Sequence, residues 1–384
     1  MRAWQDGDPV GGRTFVDVGD VRTEHGPTIP GVRVAYESWG TPRTGPDGTV
    51  ENAVLVLHAL TGDSHVVGPV GPGHPSPGWW GGVVGDGLAV DTSRWFVVAP
   101  NVLGGCQGTT GPGSPDPDGR AWGSRFPAVT VRDQVAAEAL LADALGIRRW
   151  ALVVGGSMGG MRALEWGVTS PERVASLVVL ASTAAASGDQ IAWCAPQLAA
   201  ITSDPAWLGG DYHAAGGEGP VEGLGVARRI AHVTYRSREE MDSRFGRDPQ
   251  PGEDPGTGGR YAVESYLDHQ AGKLARRFDA ASYVTLTRAM NSHDVGRGRG
   301  GTEAALARVT AATTVVGISS DRLYPLEQQE HVAAHVPGAR LVTVPSRYGH
   351  DGFLVETAAV AGVLSQVLGG SAHDDEVRRA RCGA

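Results

Sequence analysis

Lysine is nearly missing from this 384-residue chain: of 33 basic residues, Lys273 alone is not an arginine. A bias that uniform reads as a property of the coding sequence, GC-rich for instance, and assigns no shared chemistry to the arginines. Cysteine is also scarce, with Cys106, Cys194 and Cys382 scattered along the chain. Three such residues cannot build a disulfide framework. No CxxC or Cys/His cluster with metal-ligand spacing accompanies them, so no metal is expected. Long apolar runs are absent. None approaches the roughly 18 residues of a membrane span, and the opening MRAWQDGDPVGG lacks the apolar core of a signal peptide. A soluble, cytoplasmic protein with no membrane partner is the expectation. Positive charge is in deficit too, at a net -9. That argues against a nucleic-acid partner, which needs a concentrated basic face. The pairs Arg276-Arg277 and Arg378-Arg379 read as solvated helix faces.

What the chain has in surplus is glycine and proline, 57 and 24 residues. Together they make up about a fifth of the chain, against an average of about 12 %. The surplus implies many loops but stays below the level at which disorder is the default, and it has no triplet period. The apolar fraction of 41 % is enough for a sizeable core.

Short apolar runs at Val32–Tyr36, Val54–Leu57, Trp95–Ala99, Trp150–Val154, Leu177–Leu180, Thr314–Ile318 and Arg340–Val344 read as buried strands. Helical patterns lie between some of them. The clearest spans Thr130–Leu145, opened by a Thr130/Asp133 capping box and ended by Gly146. Strand and helix in alternation predict an α/β fold with a mainly parallel sheet. Residues 184–301 carry helical stretches and Gly-rich breaks but no Val-rich strand. They read as a helical lid insertion between two parts of one core, 1–183 and 302–368. Residues 369–384 read as a loose polar tail.

The run Trp150–Gly160, WALVVGGSMGG, places G-x-S-x-G after a strand and before a helical pattern. That is the context of a nucleophile elbow, in which a tight strand-to-helix turn holds Ser157 Oγ out at the end of the sheet. A Gly-rich turn without chemistry is the competing reading. A serine nucleophile needs a base and an orienting carboxylate, here in the order Ser, Asp, His after later strands. Asp321 follows the strand Thr314–Ile318, and His350 follows Arg340–Val344. His331 and His335 have an i,i+4 spacing but no third ligand, and read as a solvated helix face. The N–H groups of Met158 and of Leu60, in the early loop His58–His65, are the candidate oxyanion donors. The second Gly-rich stretch, Asn101–Pro112, lacks a phosphate-loop lysine. It reads as a packed loop lining the cleft, with Cys106 a structural thiol.

At this point the chain resembles the homoserine O-acetyltransferases of the α/β-hydrolase fold. The resemblance rests on His58–His65 (HALTGDSH), Asn101–Pro112 (NVLGGCQGTTGP), Gly155–Trp166 (GGSMGGMRALEW), Ala262–Met290, Ser320–Pro325 (SDRLYP) and Gly349–Leu354 (GHDGFL). Thr109 and Gly352 stand where Ser and Ala are more usual. The resemblance implies transfer of an acetyl group from acetyl-CoA to L-homoserine, an entry step of methionine synthesis, with no resident cofactor. It maps the triad onto Ser157, Asp321 and His350, and the homoserine-holding residues onto Arg228, Tyr235 and Asp351. It also implies a homodimer formed through lid helices. A lid salt bridge for Arg228 and simple packing for Tyr235 are the competing readings. The triad alone does not separate a transferase from an esterase, nor acetyl from succinyl donors, nor homoserine from other hydroxyl acceptors.

Overall fold

The computed structural model describes residues 3–382. The chain opens with a hairpin, β1 (Thr14–Arg22) and β2 (Thr28–Trp39), followed by β3 (Ala53–Leu57), the small ribbon β4 (Val84–Gly85) and β5 (Val90–Asp91), and β6 (Phe96–Pro100). Then come α1 (Val131–Ala144), β7 (Leu152–Gly156), α2 (Met158–Thr169) and β8 (Ser176–Leu180). A helical stretch follows: α3 (Gly188–Thr202), α4 (Val221–Tyr235), α5 (Arg238–Phe245), α6 (Ala262–Ala275) and α7 (Ala280–Asn291). The last part holds α8 (Thr302–Leu306), β9 (Ala312–Ile318), α9 (Leu326–His335), β10 (Arg340–Val344), α10 (Gly352–Val355) and α11 (Thr357–Cys382).

Eight strands make one sheet in the order β1-β2-β6-β3-β7-β8-β9-β10. All pairings from β6 to β10 are parallel, and β2 runs antiparallel to both neighbours. The central strands β3, β6, β7 and β8 are buried along their whole length. Leu55, Leu57, Val153, Leu177 and Val179 face a core shared with α1 and α2. Val54, Val56, Val154, Val178 and Leu180 face the opposite core, closed by Val360, Leu364 and Leu368 of α11. Burial on both faces is why these runs are Val-rich and carry little polar alternation.

All seven expected strands are present. β1 was not among them, and its half-exposed burial pattern explains why: TFVDVGDVR on a sheet edge reads as polar. The capping box of α1 forms as expected, with Thr130 accepting from the Asp133 N–H and Asp133 accepting from the Thr130 N–H. The segment read as a loose tail is instead helical, since α11 continues to Cys382. Gly383 and Ala384 lie outside the described residues. No single helix among the described residues is long and apolar enough to cross a membrane.

Candidate active site

The C-terminal ends of the parallel strands carry the candidate residues. β7 ends at Gly156, and Ser157 begins the turn into α2 with φ 56° and ψ -123°. A non-glycine residue at positive φ is strained and persists only where the surroundings fix it. Three backbone contacts do so: Ser157 N–H donates to the Leu180 carbonyl at 2.9 Å, and the Ser157 carbonyl accepts from Met161 N–H at 3.1 Å and Ser182 Oγ at 2.8 Å. The flanking glycines are sterically required. A Cβ on Gly155 would stand 2.3 Å from the Gly159 carbonyl oxygen, and one on Gly159 would stand 2.1 Å from that of Leu57.

His350 and Asp321 meet at 2.6 Å between Nδ1 and Oδ2. Asp321 Oδ1 accepts from the Leu323 and Tyr324 N–H groups, both at 2.9 Å. Ser157, Asp321 and His350 are all buried. A carboxylate so held fixes the imidazole with Nδ1–H toward Asp321 and Nε2 free to act as base. Tyr324 stacks on His350, centroids 5.0 Å apart, and its phenol meets the Ser157 side chain. Burial raises the Tyr324 phenol well above the usual tyrosine range, so it stays protonated. Leu60 and Met158 are buried, and their N–H groups have no partner among the described residues.

Tyr235 and Asp351 lie by the same imidazole, and Arg228 reaches the Tyr235 ring. The Tyr235 ring is 6.0 Å from that of His350, and the Arg228 guanidinium lies 5.3 Å from the Tyr235 ring. Arg228 Nε and Nη1 are buried without a hydrogen-bond partner, while its neighbour Arg229 pairs with Asp268 at 2.8 Å on the surface. The salt bridge weighed for Arg228 is therefore made by Arg229, and Arg228 points inward. Burial pushes the Tyr235 phenol up to about 12. Burial also raises the Asp351 carboxyl, against the opposing charges of Arg236, His350 and Arg228.

Several participants were not anticipated. Arg236 Nε lies 3.2 Å from Asp351 Oδ2. Tyr324 sits inside the SDRLYP block, but nothing local marks its contact with His350. Arg277 is no solvated helix face: it donates through Nη2 to the Thr61 carbonyl at 2.6 Å, holding the early loop. Only a fold that brings residues 61 and 277 together shows this.

Cys106 is a half-buried thiol, raised well above its usual range by desolvation and by nearby Asp279, as befits an inert residue. It lines a cavity of about 780 Å³ with Tyr212, His213 and Asp279, and no triad residue borders that cavity. Glu37, His65 and His74 also cluster. Their imidazoles stack at 3.8 Å and within 8° of parallel. In-plane lone pairs of parallel rings do not converge on one ion. Hydrogen bonds hold them instead, His65 Nδ1 with Glu37 at 3.1 Å and Gly12 N–H to His74 Nε2 at 3.0 Å.

Comparison with known proteins agrees with this geometry. Residues 52–357 match the family model of the alpha/beta hydrolase fold. The chain is 64 % identical to the homoserine O-acetyltransferase of Thermobifida fusca over 95 % of this chain and 96 % of that protein. Among solved structures it is similar to the homoserine O-acetyltransferase of Bacillus anthracis (TM-score 0.83, 25 % identity, 93 % of this chain and 97 % of that one). It is equally similar to esterase E22 (TM-score 0.82, 25 % identity, 93 % and 99 % covered). The resemblance read in the motifs holds along nearly the whole length, and the chain belongs to the homoserine O-acetyltransferase family of the α/β-hydrolase fold.

Proposed function

We propose that this protein transfers an acetyl group from acetyl-CoA to the hydroxyl of L-homoserine by way of an acetyl ester on Ser157. His350 takes the Ser157 proton, and Oγ attacks the thioester carbon. The Leu60 and Met158 N–H groups hold the oxyanion. The intermediate collapses with loss of CoA thiolate, which receives the proton from His350. Homoserine then enters, His350 takes the proton of its hydroxyl, and the oxygen attacks the acetyl ester. O-acetylhomoserine leaves and Ser157 Oγ regains the proton. Asp321 stabilises the imidazolium at both stages. Such a cycle gives ping-pong kinetics and needs no resident cofactor or metal.

One observation favours an amino-acid acceptor over water or a simple alcohol: buried, unpartnered guanidinium nitrogens of Arg228 lie by Tyr235, next to the catalytic imidazole, and the Asp351 carboxyl adjoins that imidazole in the chain. A guanidinium fork fits an α-carboxylate, and a carboxylate fits an α-ammonium. The test is a matrix of acyl-CoA donors against hydroxy amino acids, read by CoA release. Acetyl-CoA with homoserine is expected to be fastest. Sustained CoA release without any acceptor would make the protein a hydrolase.

The lid helices carry exposed Ile191, Trp193 and Val226 on α3 and α4. These support a homodimer through the lid, tested by sedimentation of the wild type against Trp193→Asp. A cytoplasmic location fits a CoA-dependent reaction that feeds methionine synthesis.

A further inference from the structure

An oxyanion hole assembled from two chain segments works only if the segments keep a fixed spacing. Here one donor, Met158 N–H, opens α2, and the other, Leu60 N–H, lies in the loop after β3. Arg162 spans the two. It stands one turn after Met158 and is fully buried. Its Nη2 donates to the His58 carbonyl at 2.5 Å, two residues before Leu60. Its Nη1 donates to Glu138 of α1 at 2.6 Å, and the second oxygen of Glu138 accepts from Trp166 Nε1 at 2.8 Å.

His58 extends the connection. Its Nδ1–H faces the Ala59 carbonyl at 2.8 Å, and its Nε2 accepts from Val102 N–H at 3.2 Å. The imidazole is thus neutral, joining the loop to the segment after β6. We propose that Arg162 is a positioning residue that holds the two oxyanion donors in register.

Stability alone does not account for Arg162. A buried ion pair repays its desolvation poorly, and well-packed apolar residues often replace one without loss. Arg162 Nε is moreover buried without an acceptor. What an apolar residue could not supply is a planar fork reaching α1 and the loop at once. Lysine, with a single ammonium on a flexible stem, also lacks that fork.

The inference rests on the acyl-serine reading of Ser157. The experiment compares wild type, Arg162→Ala and Arg162→Lys for the rate of Ser157 acetylation, using acetyl-CoA and, separately, p-nitrophenyl acetate. Loss of one oxyanion donor costs about 10²–10³ in rate. Arg162→Ala should therefore acylate about a hundredfold more slowly with both donors, with half-saturation by acetyl-CoA little changed. Millimolar methylguanidinium should restore part of the rate. Arg162→Lys should lose about tenfold, as expected for one missing charged hydrogen bond. Should Arg162→Ala fail to fold, Arg162→Lys carries the comparison. Wild-type acylation rates in the folded variants, or losses that only track the unfolded fraction, would overturn the proposal. If wild type acylates from p-nitrophenyl acetate but not acetyl-CoA, the donor reading fails while the Arg162 comparison stands. If it acylates from neither, the acyl-serine reading itself fails.

Discussion

The proposed nucleophile, its orienting carboxylate and the proposed acceptor-holding arginine differ in what each substitution should reveal. Ser157→Ala removes the atom that carries the acetyl group in the proposed cycle, so both half-reactions should stop, and no acetyl label should appear on the protein. Asp321→Asn keeps the shape but presents an amide to His350 Nδ1, which favours the wrong tautomer. A loss of about 10³–10⁴ in kcat is expected from that change. A near-normal rate would show that Asp321 does not orient the base. Arg228→Met should separate the half-reactions. Acetylation of Ser157 should persist, while KM for homoserine should rise about 10- to 100-fold through loss of a charge-assisted hydrogen-bond pair. Equal losses in both half-reactions would instead make Arg228 a structural lid residue. At this scale the chain order Ser, Asp, His was legible, because each residue follows its own strand. Arg162, Arg236, Arg277 and Tyr324 were not. Their roles depend on contacts such as Arg162 with His58, 104 positions apart, which no local spacing encodes.

Elements place those residues to within bond lengths, and two of them make the point. The elbow exists because β7 and the first turn of α2 touch with no Cβ between them. Gly159→Ala would push a methyl carbon to 2.1 Å from the Leu57 carbonyl oxygen. The expected result is loss of the fold or of the elbow, seen as insolubility or as inactive protein with a lowered melting point. Normal activity and melting would mean that β3 and α2 can separate freely. α1 offers a milder test. Thr130→Ala removes half of a capping box and should cost about 1 kcal/mol in denaturant unfolding, with catalysis intact. Strands and the capped helix were readable because burial on both faces and cap chemistry leave local patterns. The edge strand β1 and the helical course of α11 past residue 369 left none. An edge strand alternates like a loop, and a polar segment extending an apolar helix resembles a tail.

The molecule as a whole holds three histidines neutral at the joints between its parts. His58 fastens the loop after β3. His232 of α4 meets the Tyr266 hydroxyl of α6 at 2.6 Å, and His293, after α7, reaches the Thr183 carbonyl beyond β8 at 3.1 Å. Burial, aided by nearby arginines at the first two sites, pushes them down to about 3 for His58 and His232, and burial brings His293 to about 4. In the unfolded chain each takes a proton near its ordinary value of about 6.5. Between these limits the unfolded state therefore binds more protons than the folded one, and stability falls as pH falls. His213 runs the other way. Its bond to Asp279 outweighs the opposing effect of burial and raises it, so protonation there favours the fold. Burial lowers His74 as well, so among the histidines four against one leave acid destabilising, with a slope of up to about 1.4 kcal/mol per pH unit for each buried neutral histidine. Urea midpoints should accordingly drop from about pH 6.5 to about pH 5, before most carboxylates titrate. His293→Gln, which can still donate to the Thr183 carbonyl, should flatten the dependence by one histidine's share. A midpoint that stays level across that range would mean that these imidazoles take up protons without loosening the joints they hold.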